Sequence, residues 1–299
     1  MSHLKISYDD YIVINDGQVT SEHLPKNVSF DDHTLKFTLG APIALHVVLI
    51  MSKDYELTYE FGAHTHAEII ETRAINDEAT LTRTINAQEE ANVQFFNENM
   101  SNSHHKLTFI DQGNIDAYAH VEMGYAELSD DSIEANYHYH LTGVEATMKL
   151  RMAILSKEAE KKHYTINLEH NAPHTTGIMD NYGVAKDTGR LVIDGIGTIK
   201  KAMKGSESHQ TNKIMVFDQG CYASANPYLF IDEYDVAASH AAAVGRMDEE
   251  HLYYLESRGL TKRDAMQLIT YGYLKPVINV VDNEMLKERF EEALTKVGA

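Results

Sequence analysis

Short runs of strict apolar–polar alternation recur along most of this chain, and they limit its fold more than any other feature. Leu35, Phe37 and Leu39 alternate with Lys36 and Thr38, and Tyr55, Leu57, Tyr59 and Phe61 with Glu56, Thr58 and Glu60. The same pattern returns at Met148–Ile154 and again at Tyr164, Ile166 and Leu168. Successive strand side chains point to opposite faces, so each run predicts a strand with one buried and one wet face. Gly40, Gly113, Gly143, Asp180-Asn181, Gly195, Gly197 and Gly220 fall between or near these runs and read as turn signals at roughly ten-residue intervals. A sandwich, a barrel or a β-solenoid would all satisfy this spacing. No Asn-Gly pair joins consecutive strands as a tight hairpin would require, and no amphipathic helix stands between them to build crossovers. The pattern therefore favours a mainly β chain coiled as a β-solenoid over residues 33–243. The Glu89–Asn99 stretch fits a helix as well as a strand. Residues 1–32 are polar and mixed, with Asp16-Gly17 as a turn signal, and read as an N-terminal extension.

Near Gly245 the period changes. Arg246 to Arg258 has Leu252 and Leu255 at helical spacing, Asp248, Glu249 and Glu250 at its start, and Gly259 as a stop. Thr261, three residues before Asp264, opens a second helix in a capping-box arrangement. That helix is expected to bury Ala265, Leu268 and Ile269 and to end near Gly272. A third helix beginning near Asp282 carries Leu286, Phe290, Ala293, Leu294 and Val297 on one stripe. Residues 244–299 thus read as a small helical domain that must pack on the β domain or on a partner.

Charge narrows the function classes. Among 299 residues, 26 Lys and Arg stand against 45 Asp and Glu, a formal net charge of −19. Such a balance repels phosphate backbones and anionic lipid, so neither nucleic acid nor a membrane surface is expected as a partner. The longest apolar run, Ala41 to Met51, is broken by His46 and is too short to span a bilayer. No hydrophobic stretch follows Met1-Ser2-His3-Leu4-Lys5, so no signal peptide is expected. The single cysteine, Cys221, forbids an intrachain disulfide and fits a reducing, cytoplasmic compartment.

Several constellations invite metal or nucleotide chemistry. His64-Thr65-His66 with Glu71 resembles the first metal motif of cupins, although Thr58 and Glu78 stand where glycines are expected. A metal-dependent β-fold enzyme using His64, His66 and Glu71 is one alternative function to weigh, and a purely structural adaptor is another. His138 and His140 share one strand face but have no third ligand nearby in sequence, and read as a polar face. His104-His105 reads as a solvated loop. No Walker-type phosphate loop occurs, and Gly195-Ile196-Gly197 lacks a third glycine and a following helix, so no bound nucleotide is expected. Lys200, Lys201 and Lys204 read as a solvated edge.

The most specific signal runs from His170 to Leu274. It contains His170-x3-His174-Thr175, Gly183-Val184, His209-Gln210-Thr211-Asn212 and Cys221-x5-Pro227-Tyr228-Leu229-Phe230-Ile231. It closes with Ser239-His240-Ala241, Gly245-Arg246 and Tyr254-Leu255-x-Ser257-Arg258-Gly259. These blocks, in order and spacing, resemble the SufB/SufD family of iron–sulfur cluster assembly scaffolds of the SUF system. The resemblance is closest over residues 160–280, and this chain looks like a short member. It implies a right-handed parallel β-helix with a C-terminal helical domain and no enzymatic activity of its own. It further implies pairing through the β-helix, with a second copy (a homodimer) or with a SufB/SufD paralogue. An ABC-type, SufC-like ATPase would dock on the C-terminal helices, around Arg246, Tyr254, Arg258 and Gly259. Cys221 matches the scaffold cysteine of the SufB branch and His240 the interfacial histidine of the SufD branch, so both become candidate ligands of a transient iron–sulfur cluster. The SufB branch carries a carboxylate beside the equivalent histidine, whereas Ser239 and Ala241 flank His240 here.

Overall fold

In the computed structural model, which describes residues 6–101 and 104–295, the alternating runs become strands of two sheets that spiral around one interior. One sheet holds ten strands: β1 (Asp10–Asn15), β2 (Gln18–His23), β5 (Ile43–Met51), β7 (His66–Ile75), β9 (Asn92–Asn99), β11 (His120–Glu127), β13 (Thr147–Ser156), β15 (Thr176–Ala185), β17 (Glu207–Val216) and β19 (Ala237–Arg246). The other holds nine: β3 (Val28–Asp31), β4 (Thr34–Phe37), β6 (Tyr55–Phe61), β8 (Ala79–Ala87), β10 (Lys106–Ile115), β12 (Ser132–Leu141), β14 (Lys161–His170), β16 (Arg190–Ile199) and β18 (Tyr222–Ile231). From β4 onward each strand pairs in parallel with the strand two further on, so every coil adds one strand to each sheet. The chain is a parallel β-solenoid, as the alternation predicts. The inward residues of both sheets, among them Phe37, Tyr59, Leu81, Phe109, Leu150 and Ile193, form one continuous core.

The coils turn at a corner that the sequence announces only in part, through Gly143 in the Glu145 turn. His64, Glu90, Tyr118, Glu145 and His174 all have φ between 55° and 60°. Each begins a turn in which its N–H bonds a carbonyl of the next coil: His64 to Glu89, Glu90 to Ala117 and Tyr118 to Val144. A left-handed conformation costs a non-glycine residue about 1–2 kcal/mol; here the inter-coil hydrogen bonds hold it in place. Several expected turns are not turns. Gly113 lies within β10, Asp180-Asn181 within β15, and Gly195 and Gly197 within β16. Gly195 and Gly197 are inward positions where a Cβ would strike Gln210, Asn212 or Ser208 from the facing sheet. They admit polar side chains to the interior instead of reversing the chain.

The two ends of the solenoid differ. At the N-terminal end, Asp16-Gly17 closes an antiparallel β1–β2 hairpin and β3 pairs antiparallel with β4, so both sheets end in reversed strands. Residues 10–31 are thus built into the sheets. At the C-terminal end, β18 and β19 are the last strands of their sheets, and among the described residues no further coil covers them.

Beyond β19 follow α1 (Glu249–Ser257), α2 (Lys262–Leu274), a 3-10 turn (Lys275–Val280) and α3 (Glu284–Thr295). Thr261 caps α2, its hydroxyl accepting from the Asp264 N–H at 3.1 Å, as the capping box predicts. The buried face of α2 differs from the expectation. Ala265, Thr270 and Leu274 are buried while Leu268 is half exposed, and the helix runs past Gly272. Leu286, Phe290 and Leu294 of α3 are buried as expected; Val297 lies outside the described residues. These side chains, with Val277, Ile278 and Val280, pack on Ile70, Phe96, Ala126, Ala153, Leu155 and Val184, the outward residues of the ten-stranded sheet. The tail therefore covers that sheet's outer face. It also explains why Glu89–Asn99 contains the strand β9 and no helix: Phe95 faces the core and Phe96 faces the tail, which erases the alternation.

A hydrogen-bonded chain fastens the tail. The Ser7 N–H donates to His46 Nδ1 at 2.9 Å, His46 Nε2 meets the Thr72 hydroxyl at 2.8 Å, and that hydroxyl donates to Glu98. Arg289 of α3 closes the chain on Glu98 at 2.7 Å and on the Ser7 hydroxyl at 2.9 Å. Because a backbone N–H can only donate, His46 is neutral with its proton on Nε2. Burial, helped by the Arg289 charge, lowers its pKa to about 3. An unfolded histidine titrates near 6.5, so below that pH the unfolded chain gains a proton that the folded chain refuses, and stability falls towards pH 3. In His46→Gln this contribution is absent. The gap in melting temperature between wild type and variant should narrow on going from pH 7 to pH 4.5, and a constant gap would refute the coupling.

Candidate functional site

The open C-terminal end gathers the residues singled out by sequence. β19 is exposed along its whole length, and β18 exposes Tyr222, Tyr228, Phe230 and Ile231. Each strand leaves one row of backbone N–H and C=O groups without a neighbouring strand. Natural proteins usually blunt such edges with proline, lysine or a short strand. β18 has Pro227 at mid-strand, but β19 (Ala-Ala-Ser-His-Ala-Ala-Ala-Val-Gly-Arg) has no such device before its last residue. It is a ten-residue template for another strand.

Cys221 sits in the turn between β17 and β18, where its N–H donates to the Asp218 carbonyl at 3.3 Å and its Sγ lies 3.5 Å from the Asp187 carbonyl. It lines a recess with Val216, Asp218, Gln219, Tyr222, Gly245 and Arg246. Burial, with the nearby Asp218 and Asp187 carboxylates, pushes the thiol pKa up against a lowering hydrogen bond. The resting group is a thiol, and metal ligation would have to release its proton.

His240 stands opposite Gln210 in the parallel pairing of β17 with β19, an inward position that stays exposed because no coil lies over it. Below it the interior is polar: Ser208, Gln210 and Asn212 are buried, and Gln210 Nε2 donates to the Tyr228 carbonyl at 2.7 Å. Ser239 points the other way and bonds His209 Nδ1 at 2.8 Å. Cys221 and His240 do not meet within one chain. Arg246 lines the Cys221 recess, and six residues, about 20 Å of strand, separate it from His240.

The remaining sequence candidates separate cleanly. Tyr254 is half exposed on α1 beneath the Arg258 guanidinium, 5.1 Å from the ring centroid, and Gly259 ends the helix with φ of 97°. Only Leu252 of α1 is buried, so most of that helix faces outward. His64, His66 and Glu71 are not brought together. His64 is a corner residue bonded to Glu90 at 3.0 Å, His66 is exposed, and Glu71 is fully buried with Arg73, Arg83 and Tyr59. The odd separation of His66 from Glu71 sends them to opposite faces of β7, so the cupin-like reading fails on strand parity. The polar core around Glu71 was not visible in the sequence, since alternation marks positions as inward without saying what they contact. His170 is likewise an interior residue, bonded through Nδ1 to Thr175 at 2.7 Å and lowered by burial to a pKa of about 4.

Comparison with known proteins bears on this end of the molecule. Residues 44–273 match the family described as "SUF system FeS cluster assembly, SufBD core domain". The chain is 32% identical over 176 residues to the "Iron-sulfur cluster assembly protein SufD" of Bacillus subtilis, covering 59% of this chain and 40% of that protein. It is 27% identical over 163 residues to the protein of the same name from Escherichia coli, covering 54% of this chain and 38% of that one. The matched stretches thus span less than half the length of these relatives. With a solenoid of the expected kind and a family match over most of its length, the chain belongs to the SufB/SufD family of iron–sulfur cluster assembly proteins.

Proposed function

We propose that this chain is a non-ATPase scaffold subunit of a SUF-type iron–sulfur cluster assembly complex, acting in the cytoplasm. It pairs through the open end of its solenoid with a second copy or with a SufB/SufD paralogue. It docks an ABC-type, SufC-like ATPase through its C-terminal helices, and that partner supplies the ATP chemistry. The observation that carries the reading is the contrast between the two ends: hairpins finish the sheets at one, while at the other two ten-residue strands lie bare beside Cys221.

Pairing would also solve a geometric difficulty. If two β19 strands ran antiparallel about a two-fold axis at Ala243, His240 of one copy would lie opposite Arg246 of the other, next to that copy's Cys221. A thiolate and an imidazole would then converge from two chains, and both ligate iron in iron–sulfur centres. Two cysteines per homodimer fall short of the usual four, so the cluster would be transient and completed by histidine or by ligands from outside the protein. On α1, the exposed Tyr253, Tyr254 and Arg258 offer the ATPase an aromatic, cationic face.

Two measurements test this. The full chain should co-purify with a SUF-type ATPase subunit, and Arg258→Glu should weaken the complex while leaving the melting temperature unchanged; no complex with the intact chain would overturn the docking. Anaerobic reconstitution with iron and sulfide should give visible absorbance in wild type that is lost in Cys221→Ser at unchanged fold. Equal spectra would remove Cys221 as a ligand.

A further inference from the structure

On the outer face of the nine-stranded sheet, far from Cys221, three ligating side chains converge. His138 and His140 are alternate residues of β12 and share its outward face. The parallel pairing with β14 puts Glu169 directly across from His140. Glu169 Oε2 lies 3.2 Å from His138 Nε2, Oε1 lies 3.8 Å from His140 Nδ1, and all three donors fall within 4.8 Å of one another. Among the described residues no other trio of His, Cys, Asp or Glu comes so close. We propose that His138, His140 and Glu169 bind a divalent first-row transition-metal ion.

The donor chemistry sets the metal class. Two imidazoles and one carboxylate suit zinc(II) or iron(II), whereas calcium and magnesium prefer all-oxygen sites. Ligand bonds of about 2.1 Å place donor atoms about 3.0–3.5 Å apart, so one pair is already in range and the others close by small side-chain rotations. The donors already lean on one another: the Glu169 carboxylate accepts from His138 Nε2–H at 3.2 Å, and the Asn171 amide holds His140 Nδ1 at 3.2 Å. A divalent ion would replace the proton between His138 and Glu169, releasing it to solvent, and draw the three donors onto one centre. On metal binding that Asn171 amide can turn to Glu169. Asn167 Oδ1 is buried without a donor, and a metal-bound water would supply one. All three ligands come from one side, so the solvent side of the ion stays open for water or a further ligand.

One competitor is present: Lys200, whose ammonium pairs with Glu169. Its side chain is 54% exposed and free to swing into solvent, and an ion pair with so exposed a partner contributes little against a coordinate bond to the freed carboxylate. Separation from Cys221 is large. The position of Glu169 continues through Thr198 to Phe230, which is nine residues, about 30 Å, along the strand from Cys221. The proposal thus stands apart from the scaffold reading and needs neither a partner nor a cluster.

The test is a titration of the chelator-treated full chain with zinc(II), followed by calorimetry, and with cobalt(II), followed by its visible spectrum. Wild type should show one site with nitrogen and oxygen ligation and no thiolate charge-transfer band. His140→Ala and Glu169→Gln should each weaken it at least as much as the roughly 10–100-fold seen on losing supporting groups. Lys200→Met should tighten it, and His64→Ala and Cys221→Ser should leave it unchanged. These side chains lie outside the core, so melting temperatures without metal should match. Superimposable titrations for wild type and His138→Ala/His140→Ala would overturn the proposal, as would a site lost in Cys221→Ser.

Discussion

Arg83→Met should destabilise the solenoid by about 3–5 kcal/mol, the cost of leaving buried charges without their partner. Arg83 is fully buried between coils. It donates to Asp111 through Nε at 2.9 Å and again through Nη2, to Glu71 through Nη1 at 2.8 Å, and to Asn97 and Tyr125. Arg73 joins Glu71 from the other side at 2.7 Å, and Tyr59 donates to the same carboxylate at 2.5 Å. Burial alone would raise the Glu71 pKa, yet the two guanidinium groups outweigh it and hold the carboxyl below its ordinary value. Glu127, with the Arg73 guanidinium at a long 3.5 Å, goes the other way: burial raises it against the lowering pull of Arg73, Lys162 and Asn99. The charges nearly balance around two arginines, so removing one strands both Asp111 and Glu71. Methionine fills the space but satisfies neither. Chemical denaturation should show the loss, and Arg83→Met/Asp111→Leu should recover much of it because both members are then apolar. A single variant within about 1 kcal/mol of wild type would show that the network is hydrated and cheap to break.

This network marks where the sequence stops being legible. No alternating run was read over β7 or β8, and nothing local could reveal that Glu71 and Arg73 of one strand meet Arg83 of the facing sheet in the interior. The coil corners were hidden for a different reason. His64, Glu90, Tyr118, Glu145 and His174 take the left-handed position that usually signals glycine, so that position is not marked in the sequence; Gly143 does mark the Glu145 turn, while Gly195 and Gly197 lie in a strand. The helix caps were legible because capping is local: Thr261 and Asp264 settle their own contact. Cys221 and His240 could be picked out by motif, but their separation along the open end depends on the register of β19 on β17. Glu169 was invisible beside His138 and His140 because one coil, 29 residues, separates His140 from its neighbour across the sheet.

The largest functional loss is expected from Phe290→Ala, which should release the helical tail while leaving the solenoid folded. Phe290 is 3% exposed, between Leu286 and Leu294 in the apolar layer against the outer sheet face, and its ring lies 6.3 Å from that of Tyr271. Truncating a buried phenylalanine costs about 3–5 kcal/mol. The solenoid core does not include this layer, so the loss falls on the tail alone. In coil-stacked proteins such terminal units can detach without unfolding the array. Val277, Ile278 and Val280 hold α2 to the sheet through the same layer, so loosening α3 should free α1 and α2 as well. Limited proteolysis should then cut near residues 247–260 in Phe290→Ala while residues 10–246 remain resistant, and the ATPase should no longer co-purify. Tyr253→Ala provides the contrast: its ring is 74% exposed, so proteolysis should match wild type even if docking weakens. A cleavage pattern in Phe290→Ala identical to wild type would show that the Arg289–Glu98–Ser7 network holds the tail without the apolar layer, and docking would then have to be read from α1 alone.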